Sequence, residues 1–344
     1  MIVSKKNFQE ALKACAPLIS SSPTIPILDH VAVYPGKIQA TNLSISVEIG
    51  FNVTDDNEPF GGIAVPFKEL SKVVDACGDF VQFSINGLEL TAVSGRNRTT
   101  ITGENITDFP KMLEGDPVQP IELIGEDLRY VASTVTKFAS TDELRRAMCG
   151  VSFDGTKFAA TDAHKLIHYT VDGDKTPEII IPTKVFQVLS PIIAHEETVS
   201  IAGNRFRTEN ATVSFKPVDE KYPNWRGVLP EKHAFAEFNR VEMLQAVKFA
   251  SVGSSEGTHQ IILEAKGGQI KVSAEDTGFG KRAEAVVDGS GDFRMGVNHK
   301  FFTLGLQSTD DTRVKMYYSE PNRPVLLNSD DWQGEVLIMP VMIS

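Results

Sequence analysis

Two stretches of this 344-residue sequence carry residue types that could do chemistry, and both read better as structure. Gly278-Phe279-Gly280-Lys281-Arg282-Ala283 has the Gly-x-Gly-x-x-Ala spacing of a dinucleotide-binding turn. That role needs a helix to begin there and aim its free N–H groups at a pyrophosphate. Glu284-Ala285-Val286-Val287 follows instead and reads as strand, so the spacing predicts a hairpin turn. His164 and His168 stand four apart, a metal-binding spacing on a helix. Their flanks read as strand, where the two rings lie too far apart for one ion, and no third ligand is evident. A Gly-x-Ser-x-Gly elbow, a phosphate-binding glycine loop and a His-Glu-x-x-His pair are all missing. The expectation is therefore a non-enzymatic protein with no metal and no cofactor. The enzymatic alternative is a nicotinamide-dependent dehydrogenase built on Gly278 and Gly280.

The elements that would position any site recur three times. Phe8, Leu12, Cys15 and Ile19 make one apolar stripe at helical spacing; Leu128, Val131, Ala132, Val135 and Phe138 make a second; Met243, Ala246, Val247 and Ala250 make a third. A second helix in each third begins at Pro66, Pro182 and Asn298, with proline expected at the first helical position. The two intervals between these residues are each 116 residues. Alternating strands follow, the clearest around Asn86-Gly87, a strong hairpin signal. The counterparts are residues 199–201 with 213–215, and 314–318 with 325–327. Further strand pairs are expected across 37–49, 157–170 and 269–287. The chain thus reads as an α+β protein of three repeated domains, 1–117, 118–231 and 232–344. The joints are the proline-rich stretch 113–120 and Leu229-Pro230-Glu231-Lys232.

Charge separates along the same elements. Lys and Arg number 34 and Asp and Glu 45, a net charge of −11, which argues against a simple nucleic-acid binder. The six expected helical segments together carry +5, leaving −16 on the rest. The helices are basic islands in an acidic chain and point to one shared positive surface. Cys15, Cys77 and Cys149 are far apart and form no Cys-x-x-Cys pair. A reducing cytoplasm is expected, with no secretory signal in Met1-Ile2-Val3-Ser4-Lys5-Lys6 and no apolar run near the ~20 residues of a membrane span.

Several motifs resemble the bacterial DNA polymerase III beta subunit family, the sliding clamps. They are Pro23-Thr24-Ile25-Pro26-Ile27-Leu28, Ala40-Thr41-Asn42-Leu43, Ser94-Gly95-Arg96-Asn97-Arg98 and Asp108-Phe109-Pro110. Ala160-Thr161-Asp162-Ala163-His164-Lys165-Leu166, Tyr222-Pro223-Asn224-Trp225-Arg226-Gly227-Val228-Leu229-Pro230 and Val336-Leu337-Ile338-Met339-Pro340-Val341 continue the match in order. The resemblance implies clamp domains with helices lining a hole and antiparallel sheets outside. It implies a head-to-tail homodimer of about 75 kDa, twice 37.7 kDa, forming a six-domain ring around duplex DNA. The alternative is a monomeric scaffold with the same fold that does not encircle DNA. Implied partners are double-stranded DNA read without sequence preference, the replicative polymerase, the clamp loader and repair proteins that dock through short linear motifs.

Two sets of residues follow from the resemblance. Phosphate contacts fall on Lys6, Lys13, Lys68, Lys72, Arg129, Lys137, Lys184, Arg240, Lys248 and Lys300, with Arg145 and Arg146 as additions. A cleft for Gln-x-x-Leu-Phe-like peptides comprises Met148, Thr161, His164, Lys165, Leu166, Pro223, Val228, Pro324, Met339, Pro340, Val341 and Met342. Methionine and leucine walls suit an adaptable apolar pocket, and His164 and Lys165 suit peptide carbonyls or a carboxylate. The chain departs from the family pattern at Ser22, Cys149, Ala163, Lys165 and Gly227, which bears on peptide preference and affinity. Gly253-Ser254-Ser255 stands near an expected apolar dimer contact, and the tail ends Met342-Ile343-Ser344.

Overall fold

The structure, a computed structural model, describes residues 1–55, 60–115 and 118–343. Asp116 and Pro117 of the first expected joint, and Ser344 of the tail, lie outside the described residues. The chain falls into two compact units, one of residues 1–133 with 172–219, the other of residues 134–171 with 220–344.

The first unit holds helices α1 (Lys5–Cys15), α2 (Phe67–Ala76), α3 (Gly125–Ser133) and α4 (Thr183–Leu189). One antiparallel sheet runs Val53–Asp55, Ile2–Ser4, Phe80–Asn86, Glu89–Ser94, Asn97–Thr102. The other runs Ile121–Ile124, Thr198–Ala202, Arg205–Arg207, Ala211–Phe215, Ile45–Gly50, Lys37–Thr41, His30–Tyr34, Ile63–Pro66. The pairing of Val213 with Val47 carries this sheet from the middle third of the chain into the first. Phe8 is fully buried against the rings of Phe51 and Phe83, at 5.0 and 5.1 Å between centroids. The period-3.6 stripe of α1 thus meets the period-2 faces of the strands.

The second unit holds α5 (Arg240–Ala250) and α6 (His299–Leu306). Its strands Gly150–Phe153, Lys157–Thr161, Lys165–Thr170, Gly334–Ile338, Val325–Asn328, Arg313–Tyr318 and Ala234–Asn239 hydrogen-bond in that order. Here Ile167 pairs with Val336, joining the middle third to the last. A second sheet runs Lys281–Asp288, Gln269–Asp276, Gln260–Lys266, Phe293–Asn298, Pro340–Val341.

The 116-residue interval is an interval between helix caps. Pro66, Pro182 and Asn298 are the N-cap residues of α2, α4 and α6. Proline was expected one place later, inside the helix. Pro66 instead ends an edge strand with ψ 122°, where a missing N–H costs no ladder bond. Asn298 caps α6 with its side chain, accepting from the amides of Lys300 and Phe301.

Other local expectations shift. The helix expected across 126–138 stops at Ser133, and Thr134 leaves helical geometry (φ −122°, ψ −59°) before a 3-10 turn at Val135–Phe138. Thr134-Val135-Thr136 is a β-branched run whose side chains crowd the preceding turn. In the first hairpin Asn86 pairs with Glu89, so the loop is Gly87-Leu88, with Gly87 at φ +60°. Strand Arg205–Arg207 lies between the strands expected to pair at 199–201 and 213–215. At Gly278–Gly280 the chain turns, Gly280 takes φ +63°, and strand Lys281–Asp288 follows with no helix start.

Candidate functional site

The residues expected to form a cleft all belong to the second unit, where the turn Thr161-Asp162-Ala163-His164 sets the backbone. Thr161 Oγ1 donates to the Lys165 carbonyl at 2.8 Å and accepts from the Ala163 amide at 3.1 Å. Asp162 Oδ1 accepts from the amides of His164 and Lys165, each at 2.9 Å. This local closure holds Ala163 at φ +78°. The first unit contains the same device. Thr41 Oγ1 binds the Ile45 carbonyl and Leu43 amide, Asn42 Oδ1 binds the amides of Ser44 and Ile45, and Leu43 sits at φ +69°.

The turn delivers His164 to the end of three aligned strands. Lys165 pairs with Ile338, and Ile338 with Val325. One residue beyond that rung, the Met339 amide donates to the His164 carbonyl at 2.9 Å, and Pro324 precedes Val325. Met339 is the single residue between strand Gly334–Ile338 of one sheet and Pro340–Val341 of the other. It changes sheets there and is 38% exposed. Pro340 and Val341 pair with Val297 and Gly296, and Gln260 Nε2 donates to the Met342 carbonyl at 3.0 Å. Met342 is exposed.

A second segment is pinned beside the same strand. Trp225 is buried with its ring 5.1 Å from that of His168, and the Arg226 guanidinium lies over the indole at 4.1 Å while pairing with Asp154 at 2.6 Å. That anchor leaves Val228 exposed and Pro223 half-buried on the same short run. His168 lies opposite Glu335 and meets its carboxylate at 3.0 Å, and Lys232 meets the other oxygen. Burial raises the Glu335 carboxyl, but the bonds from His168 and Lys232 outweigh it and hold the group down at about 2.

Other candidates take different places. Lys165 is buried: its ammonium binds Asp162 at 2.5 Å and lies 5.3 Å from the Phe301 ring centroid and 5.9 Å from that of Phe138. Burial raises the Asp162 carboxyl, yet the hydrogen bonds from Lys165 and from the amides of Lys165 and His164 leave it below its ordinary value. Leu166 is 2% exposed and opposes Leu337, so it supports the site from the core. Met148 is half-buried on the 3-10 segment Glu143–Cys149, whose Arg145 and Arg146 are exposed. Sequence reasoning missed Phe301 and Gln260. The Phe301 ring lies nearly parallel to His164 at 6.4 Å, a contact between residues 137 apart that no local pattern announces.

The basic candidates also divide. In the first unit Lys6, Lys13, Lys68 and Lys184 are exposed, and Lys72 is exposed but paired with Glu69 at 2.8 Å. Arg129 is turned inward, donating to the carbonyls of Ile193 at 2.8 Å and Ser190 at 3.4 Å. In the second unit Lys137, Lys248 and Lys300 are exposed, while Arg240 donates to the carbonyls of Asp311 and Asp310. Both arginines spend their guanidinium donors on backbone carbonyls of their own unit. Among the described residues no cluster of three His, Cys, Asp or Glu could hold a metal, and no helix is long and apolar enough to cross a membrane.

This fold is that of a DNA sliding clamp. The clamp of Pseudomonas aeruginosa bound to griselimycin superposes with a TM-score of 0.92 at 22% identity, over 100% of this chain and 99% of that one. The Bacillus subtilis clamp gives 0.90 at 20% identity, with the same coverage. Residues 226–342 match the DNA polymerase III beta subunit, C-terminal domain. The beta sliding clamp of Streptococcus pneumoniae is 26% identical over 98% of both chains, and that of Haemophilus influenzae 23% over 99% of both. The chain thus shares the clamp fold along its length and is similar throughout to beta sliding clamps, and its last third matches the model of that family's C-terminal domain.

Proposed function

We propose that this chain is the non-catalytic processivity factor of a replicative DNA polymerase, acting in the cytoplasm as a ring of two protomers that encircles duplex DNA. The carrying observation is the recurrence of helix N-caps at Pro66, Pro182 and Asn298, each opening the second helix of a pair. That recurrence supports three clamp domains at 1–117, 118–231 and 232–344, and six in a head-to-tail dimer. A ring that slides must touch phosphates and avoid reading bases. Lys6, Lys13, Lys68, Lys137, Lys184 and Lys248 suit this role, being exposed on or beside the paired helices. The acidic remainder of the chain disfavours DNA elsewhere on the surface.

The cleft around His164, Met339, Met342, Pro223, Pro324 and Val228 is the proposed dock for short linear motifs of the polymerase, the clamp loader and repair proteins. Its exposed methionines and valine offer adaptable apolar contact, and the ladder ending at Ile338 supplies a rigid base. Retention on a nicked DNA circle after loading, and its loss when the circle is opened, tests the topological role.

A further inference from the structure

We infer that His259, His299 and Lys300 form a cationic flank of this cleft, and that it selects peptides carrying carboxylates beside their apolar anchors. The inference rests on reading the cleft as a peptide site and adds a specificity to it. Lys300 Nζ lies 3.0 Å from His259 Nε2, and the rings of His259 and His299 meet edge to face with centroids 5.5 Å apart. The His299 amide donates to the His259 carbonyl at 2.8 Å, which fixes the two backbones together.

Two contacts tie this cluster to the cleft. Lys300 adjoins Phe301, whose ring stacks on His164. His259 adjoins Gln260, whose amide holds the Met342 carbonyl. The cluster therefore flanks the segment 339–342 at the start of α6.

Among the described residues its charge, the Lys300 ammonium, has no acidic partner, and neither imidazole ion-pairs with an acidic side chain. Asp162, the carboxylate within the cleft turn, is already held by Lys165, and α6 is capped by the neutral amide of Asn298. Burial first, then His259 and Lys300, depress the His299 imidazole below its ordinary value, which favours its neutral form, an N–H donor beside the Lys300 ammonium. An incoming carboxylate would accept from the Lys300 ammonium and the imidazoles, a charge-assisted contact. Lys300, a phosphate candidate from sequence, is assigned to the cleft on this geometry.

The test is fluorescence anisotropy at low salt with two labelled peptides. Both contain Gln-Leu-Ser-Leu-Phe, flanked on each side by Asp-Asp in one and Asn-Asn in the other. The intact chain should bind the aspartate peptide about tenfold more tightly. The double variant His259→Gln with Lys300→Gln should lose the preference and bind the two peptides alike. The single variant Lys300→Met, at an exposed position, guards against a folding defect and should lose most of it. Equal binding of both peptides by the intact chain, or a preference that survives in the variants, overturns the inference. Binding of neither peptide overturns the peptide-site reading itself and the inference with it.

Discussion

The Met339 amide donates a 2.9 Å hydrogen bond to the His164 carbonyl, linking residues 175 apart in sequence. It joins the end of a strand from the middle of the chain to the residue at which the C-terminal strand changes sheets. The apolar Met339 side chain is thereby offered to solvent from a backbone held on both sides. A flexible apolar side chain on a fixed backbone suits an anchoring pocket for varied peptides.

Met339→Ala should weaken binding of a Gln-Leu-Ser-Leu-Phe peptide by about tenfold or more, because it truncates a wall of the pocket. Its melting temperature should stay close to that of the parent. Leu166→Ala should behave differently, since Leu166 is buried: it should cost about 2–5 kcal/mol of stability through the cavity it leaves. Parallel calorimetry and anisotropy separate the two effects. Loss of stability in Met339→Ala without loss of binding would remove the pocket assignment.

Ala163 occupies φ +78° in a turn closed by Thr161 and Asp162. An L-residue with a Cβ is disfavoured there, and glycine is not. Ala163→Gly should therefore stabilise the protein by about 1 kcal/mol despite glycine's larger entropy loss. Equilibrium denaturation checks it, and destabilisation would mean the turn is less strained than its dihedral indicates.

Glu335 is held at about 2 by His168 and Lys232, well below an unfolded glutamate. A depressed carboxylate contributes stability that is present above the unfolded value and lost as pH falls toward the folded one. Glu335→Gln should cost about 3 kcal/mol near neutrality. The difference from the parent should shrink below about pH 4.5 and vanish near pH 2. Urea denaturation at several pH values measures this, and a difference independent of pH would contradict it.

The recurring helix starts were legible because such starts are encoded locally. Apolar stripes and the 116-residue spacing of Pro66, Pro182 and Asn298 need no knowledge of packing. Their capping role needed the structure, because sequence alone does not show that a strand runs straight into each helix. The family motifs pointed to the cleft strands but gave Lys165 and Leu166 an outward role. Burial and the Asp162 pair turn both inward, a tertiary outcome that no spacing encodes. The inward turn of Arg129 and Arg240 is of the same kind: each answers carbonyls more than 60 residues away. The contact between His164 and Phe301 was illegible for the same reason.

Retention on DNA tests the central claim most directly. The chain, loaded by a clamp loader with ATP onto a nicked circular duplex, should stay bound through gel filtration at a salt concentration that strips ordinary phosphate contacts. Cutting the circle once with a restriction enzyme should release it, because a threaded ring slides off a free end. Retention that is unchanged by linearisation would contradict encirclement, and so would loss of the intact circle at the same salt.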